Sequence, residues 1–162
     1  NLLHESRCQL IVTPFPPEGP DIYQTRLLED RLVCFYDADR REPPATLPEF
    51  LQADYIDVRF DDGEAGVKAR AELAGSSRKP ACLTVTNFAA IAPFLKNSPL
   101  IVTQPSLMAK MHLAGFGRAA LPFKTDPLVL YMVWHKRDQQ DPAHQWLRQR
   151  IKSAVTQILV DD

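Results

Sequence analysis

Residues 83–113 read LTVTNFAAIAPFLKNSPLIVTQPSLMAKMHL and contain one pattern twice. Each copy begins with a short apolar run, LTVT or LIVT, which is rich in β-branched residues and too short for a helix. Such runs predict buried strands of a parallel sheet. Each run ends in a threonine, Thr86 or Thr103, and apolar residues at helical spacing follow at once. The sequence therefore predicts two consecutive strand–turn–helix units.

The two predicted helices each carry an apolar face. Its residues are Phe88, Ile91 and Leu95 in the first helix, and Leu107, Met111 and Ala114 in the second. Parallel strands that lead into helices align hydroxyl groups and backbone N–H groups along one edge of a sheet. Open α/β sheets bind small molecules at that edge, so a ligand site is expected there.

Length and charge narrow the class of protein. The chain has 162 residues, of which 45% are hydrophobic, enough for the core of one domain or two small lobes. Its net charge of −1 gives no basic field that would attract nucleic acid. The longest apolar runs fall short of the ~20 residues of a spanning helix, and no charged-then-apolar leader opens the sequence. These features predict a soluble protein.

The cysteines and histidines do not predict a metal or catalytic site. Cys8, Cys34 and Cys82 lie far apart in strand-like runs, so we expect buried, reduced thiols, as in a cytoplasmic protein. No histidine pair has metal-ligand spacing, and the sequence contains no GxSxG, Walker or GxGxxG motif. His112 is expected to be a partly exposed helix residue. We therefore predict no cofactor, no metal and no enzymatic activity.

The rest of the chain also alternates between strands and helices. Further strands are predicted at 8–13, 23–36, 55–60 and 127–135, with Thr46 capping a short helix and another helix at 64–73. A long helix is predicted from Pro142, with an apolar face formed by Trp146, Leu147, Ile151, Val155 and Ile158. Arg148 and Arg150 are expected to be solvated. Residues 1–6 read as the tail of a helix, so we expect more of the fold upstream.

Several pieces, in this order, resemble the effector-binding domain of LysR-type transcriptional regulators. They are LLHESRCQLIVTP, LLEDRLVCFYDAD, LPEFLQADYIDVRF, LTVTNFAAIAPFLKNSPLIVTQPSLM and LVLYMVWHKRDQQDPAHQWLRQRI. The resemblance covers nearly the whole chain, and it rests on order and spacing because no single piece is a strict motif. The family's winged helix-turn-helix domain, and the first strand and helix of the effector domain, would precede Asn1.

The resemblance implies an α/β fold with two lobes, like that of type 2 periplasmic binding proteins. Each lobe would be a mostly parallel sheet flanked by helices, with two crossover strands between the lobes. Lobe I would comprise residues 1–34 and 124–162, and lobe II residues 35–123. The implied function is to bind a small-molecule effector between the lobes and to signal to the DNA-binding domain. The alternatives are a solute-binding protein of a transporter and, third, a small α/β enzyme.

The strand ends supply the predicted effector contacts. They are Thr13, Pro14, Phe60, Asp61, Thr86, Asn87, Phe88, Thr103, Gln104 and Pro105. Hydroxyl and amide groups at helix starts suit a carboxylate or another polar organic molecule, although the same residues could serve only as helix caps. Asp61 and its neighbour Asp62 are expected to cap, to be solvated or to contact a polar effector rather than to act in catalysis.

The resemblance also implies partners. The protein would form a homodimer or tetramer, would reach promoter DNA only through the upstream domain, and would not bind a membrane. The helix at 64–73, with Val67, Arg70 and Leu73, is the predicted dimer surface of lobe II.

Overall fold

The structure is a computed structural model and describes residues 3, 5, 8–59 and 79–160. The described residues alternate between strands, short 3₁₀ turns and α-helices. The elements are β1 (Leu10–Thr13), β2 (Ile22–Asp30), β3 (Leu32–Tyr36), α1 (Leu47–Gln52), β4 (Tyr55–Val58), β5 (Leu83–Val85), a 3₁₀ turn (Phe88–Ala90), α2 (Ile91–Leu95), β6 (Ile101–Pro105), a 3₁₀ turn (Ser106–Lys110), β7 (Gly117–Ala120), β8 (Leu128–His135), a 3₁₀ turn (Lys136–Asp138) and α3 (Pro142–Val160).

The chain divides into two compact units. The first unit comprises Asn1–Glu29 and Leu128–Asp162, and the second comprises Asp30–Pro127. The chain therefore leaves the first unit at the end of β2 and returns to it at the start of β8.

The first unit contains a three-stranded sheet in the order β1-β8-β2. β1 is antiparallel to β8, with Leu10 opposite Trp134 and Thr13 opposite Tyr131. Helix α3 begins at Pro142, as predicted, because proline has no N–H to lose in the first turn.

The buried face of α3 differs from the predicted one. Trp146 is 62% exposed, whereas His144 and Arg148 are the buried residues of the helix. At 100° per residue, Trp146 lies about 200° from both of them and so points away from the sheet. The prediction of a solvated Arg148 is also wrong, because its guanidinium stacks on the Trp134 ring at 4.6 Å.

The second unit contains a five-stranded sheet in the order β5-β4-β6-β3-β7. β4 is parallel to β5 and to β6, whereas β3 is antiparallel to β6 and β7. The two strands of the repeated pattern therefore flank β4 in parallel, as the sequence predicted. The α/β class is confirmed, and the sheet is mixed because β3, which enters from the first unit, runs against β6.

Alternation along the strands gives this sheet two apolar faces. On one, which we call the α2 face, strand residues such as Phe35, Ile56 and Val102 pack with Ile91 and Leu95 of α2. On the other, the α1 face, Cys34 and Ile101 pack with Phe50 and Ala53 from the region of α1. Thr46 caps α1, as predicted, because its hydroxyl accepts a hydrogen bond from the Glu49 N–H.

The segment after β6 does not form the predicted α-helix. It is a 3₁₀ turn from Ser106 to Lys110, and its buried apolar residues are Met108 and the following Leu113. A 3₁₀ helix has three residues per turn, so the predicted spacing of 3.6 from Leu107 does not apply. Met111 is 61% exposed and Ala114 is exposed, which corrects the predicted apolar face.

None of the three cysteines, all of which are among the described residues, forms a disulfide, and only one is fully buried. Cys34 is buried, Cys8 is half-buried and Cys82 is exposed. The prediction for Cys82 is wrong because this residue precedes the first residue of β5, at the edge of the sheet, instead of lying inside the strand.

Candidate functional site

The carboxyl ends of β4, β5 and β6 meet at one edge of the second unit's sheet. Val58 of β4 is opposite Val85 of β5, and Ile56 of β4 is opposite Val102 of β6. The Arg59 N–H donates to the Val85 carbonyl at 2.8 Å and so makes the last hydrogen bond of the Val58–Val85 pair. Extended past the last observed pairs, this register puts Thr86, Arg59 and Pro105 at one level, and we call this row the strand-end edge.

Three of the predicted contacts share one face at the strand-end edge. Because side chains alternate along a strand, Thr103 and Pro105 lie on the same face as Cys34, which is the α1 face. Thr86 continues this face from β5, two residues after Thr84. Thr86, Thr103 and Pro105 therefore lie on the α1 face, with β4 between Thr86 and the other two.

The other predicted contacts in this unit are directed elsewhere. Gln104 is 7% exposed and lies on the α2 face, opposite Val33 of β3. Phe88 packs against the core of the α2 face. Asn87 caps the 3₁₀ turn that follows it, and its Oδ1 accepts from the Ala90 N–H at 2.9 Å. A cap satisfies a backbone donor whether or not a ligand binds, so the Asn87 side chain is already engaged.

Arg59 is a charged residue of this edge that the sequence analysis missed. Its Nε lies 3.0 Å from Oδ2 of Asp57, two residues earlier on the same face. The side chain of Arg59 is 60% exposed and that of Asp57 is 15% exposed. Among the described residues, the terminal nitrogens of Arg59 have no partner. Its signal in the sequence is its position directly after β4, which matches the position of Thr86 after β5.

Asp30 is the second missed residue. It lies at the end of β2, two residues before β3, and β3 begins beside the end of β6 because Leu32 is opposite Pro105. Its Oδ1 accepts from the Ser106 hydroxyl at 2.5 Å, and its Oδ2 accepts from the Leu107 N–H at 3.0 Å. A carboxylate from a distant part of the chain thus caps the turn that the sequence had assigned to local residues.

The hydroxyl of Thr103 is buried and has no hydrogen-bond partner among the described residues. Thr103 is opposite Cys34, whose thiol is a weak donor and acceptor. A buried hydroxyl without a partner costs about 1–3 kcal/mol. Among the described residues of this face, Thr103 is the one with a buried side-chain oxygen that lacks a hydrogen-bond partner.

The remaining predicted contacts lie outside this edge. Thr13 and Pro14 are half-buried residues of the first unit, where the Thr13 hydroxyl accepts from the Phe15 N–H at 3.1 Å. Phe60, Asp61, Asp62 and the predicted helix at 64–73 lie outside the described residues.

A pKa shift occurs at the opposite edge of the same sheet. The Asp37 carboxylate follows the end of β3 and accepts from the Asn97 N–H at 2.7 Å. This bond is the main reason why the pKa of Asp37 lies below its ordinary value, although burial opposes the shift. The Lys96 ammonium, 3.3 Å away, contributes in the same direction. Through this hydrogen bond and ion pair, Asp37 connects the loop after β3 to the turn before β6.

The described residues contain no cluster of histidine, cysteine and carboxylate side chains that could hold a metal ion. Within the same residues, no helix combines the length and apolar character needed to cross a membrane.

A family model for the LysR substrate binding domain matches residues 1–156. Sequence relatives include the HTH-type transcriptional activator NagR of a Ralstonia species, which is 31% identical over 78% of this chain and 44% of its own length. The HTH-type transcriptional activator NahR of Pseudomonas putida is 29% identical over 91% of this chain and 50% of its own length. The chain thus spans about half the length of these relatives.

Solved structures show the same fold at low sequence identity. The regulatory domain of MexT, a transcriptional activator in Pseudomonas aeruginosa, gives a TM-score of 0.73 at 23% identity and covers 93% of this chain and 74% of its own. The effector binding domain of QuiR in complex with shikimate gives 0.68 at 16% identity, covering 96% and 76%. These matches confirm the two-lobed, periplasmic-binding-protein-like fold class that the resemblance implied.

Proposed function

Because the chain belongs to the LysR substrate binding domain family, we propose that it is the ligand-sensing part of a transcriptional regulator. The names of its relatives favour this role over that of a transporter's solute-binding protein, since both relatives are HTH-type transcriptional activators. In our proposal a separate helix-turn-helix domain binds promoter DNA, and this domain binds the effector. The protein acts in the cytoplasm, where the DNA is.

We further propose that the two compact units are the two lobes of the family fold. The observed divisions at Asp30 and Leu128 fall within a few residues of the predicted boundaries at 35 and 124, which supports this assignment. Thr13 and Pro14 are then the first unit's proposed effector contacts.

The proposed effector is a small organic anion whose acidic group contacts Arg59 and Thr86. The supporting observation is the strand-end edge, where the Arg59 guanidinium is held by Asp57 and shares its level with the exposed Thr86. A guanidinium presents paired N–H donors that match a carboxylate, and its side chain stays charged at all physiological pH values. Thr103 and Pro105 complete this face of the proposed site.

Direct binding tests this proposal. The probes are small aliphatic and aromatic monocarboxylates. Their binding is measured first by thermal shift, because a ligand at 100 times its Kd stabilises the folded state by about 2.7 kcal/mol, and then by calorimetry. We expect saturable binding without turnover. Arg59→Gln should weaken the binding of a carboxylate by about ten-fold or more, because the charge-assisted bonds are lost.

Arg118→Gln is the matched control, since Arg118 is an exposed arginine of β7 in the same unit. It should bind the same probes with the wild-type affinity. Equal binding by the Arg59 variant and the wild type would refute the proposed anion contact. A panel in which no carboxylate binds would refute the proposed effector class.

Signalling requires that the effector bind one conformational state of the regulator more tightly than another, since equal affinity shifts no equilibrium. The regulator is proposed to be a homodimer or tetramer that reaches DNA through its other domain. Light scattering on the full-length protein tests the assembly, and a monomer would refute it.

A further inference from the structure

Asp30 places a negative charge at one end of the strand-end edge. Both of its oxygens are engaged in hydrogen bonds, with the Arg31 N–H at 2.7 Å and the Ser106 hydroxyl on Oδ1, and with the Leu107 N–H on Oδ2. All three donors are uncharged groups. No described residue forms an ion pair with Asp30, so within the described part of the chain its charge is solvated by dipoles alone.

Asp30 and Arg59 mark opposite ends of the edge. Asp30 is beside the end of β6, on the β3 side, and Arg59 follows β4 on the other side of β6. Neighbouring strands are about 4.8 Å apart, so the two positions are separated by about 10 Å across the sheet. A small organic molecule spans such a distance.

We propose that Asp30 determines the charge class of the effector: it admits a molecule with one anionic group, bound at Arg59, and rejects one with a second anionic group at the Ser106 end. This inference rests on the proposed function, because it assumes that the effector lies along the strand-end edge. A second carboxylate at that end would meet the half-buried carboxylate of Asp30, and like charges in such contact strongly disfavour binding.

Asp30 also favours a particular uncharged group. A carboxylate offers about four acceptor positions, and protein donors occupy three of those on Asp30. The remaining position suits a hydroxyl or N–H group of the ligand. The effector is thus a monocarboxylate that carries a hydrogen-bond donor at its far end.

Ligands that have the same shape but differ in the group at the far end test this inference. The probes are benzoate, 4-hydroxybenzoate and terephthalate, together with the aliphatic series of monocarboxylates, ω-hydroxy acids and dicarboxylates of equal chain length. For the wild-type protein, we expect the hydroxy acid of each series to bind best and the dicarboxylate to bind at least about ten-fold more weakly. Added salt should narrow that difference, because it screens the repulsion.

Two variants separate the charge of Asp30 from its capping role. Asp30→Asn removes the charge, and we expect the preference for mono- over dicarboxylates to fall by about ten-fold. Ser106→Ala removes a hydrogen bond of the same cap but leaves the charge in place, and it should keep the wild-type preference. A loss of the preference in both variants would mean that capping, not charge, selects the ligand.

The outcomes also distinguish this inference from the proposed function. If dicarboxylates bind the wild-type protein as tightly as hydroxy acids and Arg59→Gln abolishes both, the effector site stands and the role of Asp30 is refuted. If no probe binds, or if Arg59→Gln has no effect, the proposed site fails and the inference fails with it.

Discussion

Arg148 donates a hydrogen bond from Nη1 to Nδ1 of His144 over 2.6 Å, inside the first unit. Because arginine stays protonated, Nδ1 of His144 must be the acceptor, and the ring proton must be on Nε2. Nε2 in turn lies 3.0 Å from the Gln9 carbonyl oxygen, to which it donates. The pair therefore ties α3 to the segment before β1 with a single histidine tautomer.

The first prediction concerns this pair. Arg148 also donates to the half-buried Asp138 and Gln139 carbonyls at 3.2 and 3.0 Å, so Arg148→Met leaves these two acceptors and the buried Nδ1 of His144 without this donor. We expect a loss of about 2–4 kcal/mol in the free energy of unfolding, measured by denaturant titration. Nitrogen NMR of the wild-type protein should show the Nε2–H tautomer of His144.

Arg150→Met on the same helix is the control for this prediction. Arg150 is exposed, and its guanidinium lies 5.9 Å from the exposed ring of Trp146. Its replacement should change the free energy of unfolding by less than about 0.5 kcal/mol. Similar losses for the two variants would contradict the structural role of Arg148.

The second prediction concerns acid stability. The folded-state pKa of Asp37 is lowered, chiefly by the Asn97 N–H, so its carboxylate stabilises the protein above the unfolded pKa. This stabilisation is lost as the pH falls through the folded pKa, below 3.8. Asp37→Asn should therefore be less stable than the wild type at neutral pH, and the difference should shrink in acid.

Asp39→Asn is the matched control for Asp37. Asp39 contacts the same Lys96, but its side chain is 81% exposed. Its replacement should leave the pH dependence of the free energy of unfolding nearly unchanged. If the difference between Asp37→Asn and the wild type did not depend on pH, the coupling to Asn97 would be wrong.

The third prediction concerns Gly117, the first residue of β7. A Cβ atom built on Gly117 would lie 2.7 Å from Cζ of Tyr36, whose ring packs against the core of the α1 face. Because the packed ring has to shift, Gly117→Ala should lower the free energy of unfolding by about 1–3 kcal/mol. Gly19→Ala, where the nearest atom is at 3.5 Å, should be nearly neutral, and equal effects on thermal denaturation would refute the clash.

The features that local sequence predicted correctly depend on neighbouring residues. The Thr46 cap, the Pro142 helix start and the two parallel strands all follow from short-range preferences or from patterns within ten residues. The helix after β6 was mispredicted because so short a segment does not distinguish the three-residue repeat of a 3₁₀ turn from the 3.6-residue repeat of an α-helix.

The missed features depend on contacts between distant segments. Asp30 reaches a turn 76 residues later in the chain, and nothing around Asp30 or Ser106 identifies the other. A helical pattern assigns the charged Arg148 to the surface, yet the residue is buried because its guanidinium stacks on Trp134 of β8. For the site, the positions of the strand ends were predictable from the sequence. The face to which each side chain points was not, because it depends on the register of the strands: Thr103 is opposite Cys34 and Gln104 is opposite Val33, on the other face.

The fourth prediction uses Thr103, whose buried hydroxyl has no partner among the described residues. Thr103→Val has nearly the same shape and removes the unpaired group, so the free energy of unfolding should rise by about 1 kcal/mol. If the Thr103 hydroxyl contacts the effector, as the sequence predicts, the same variant should also bind the carboxylate probes more weakly. Thr84→Val, an exposed threonine on the same face, should change neither quantity by more than a few tenths of a kcal/mol. If Thr103→Val is more stable than the wild type but binds the probes with unchanged affinity, Thr103 does not contact the ligand. Of Thr86 and Thr103, only Thr86 would then belong to the effector site.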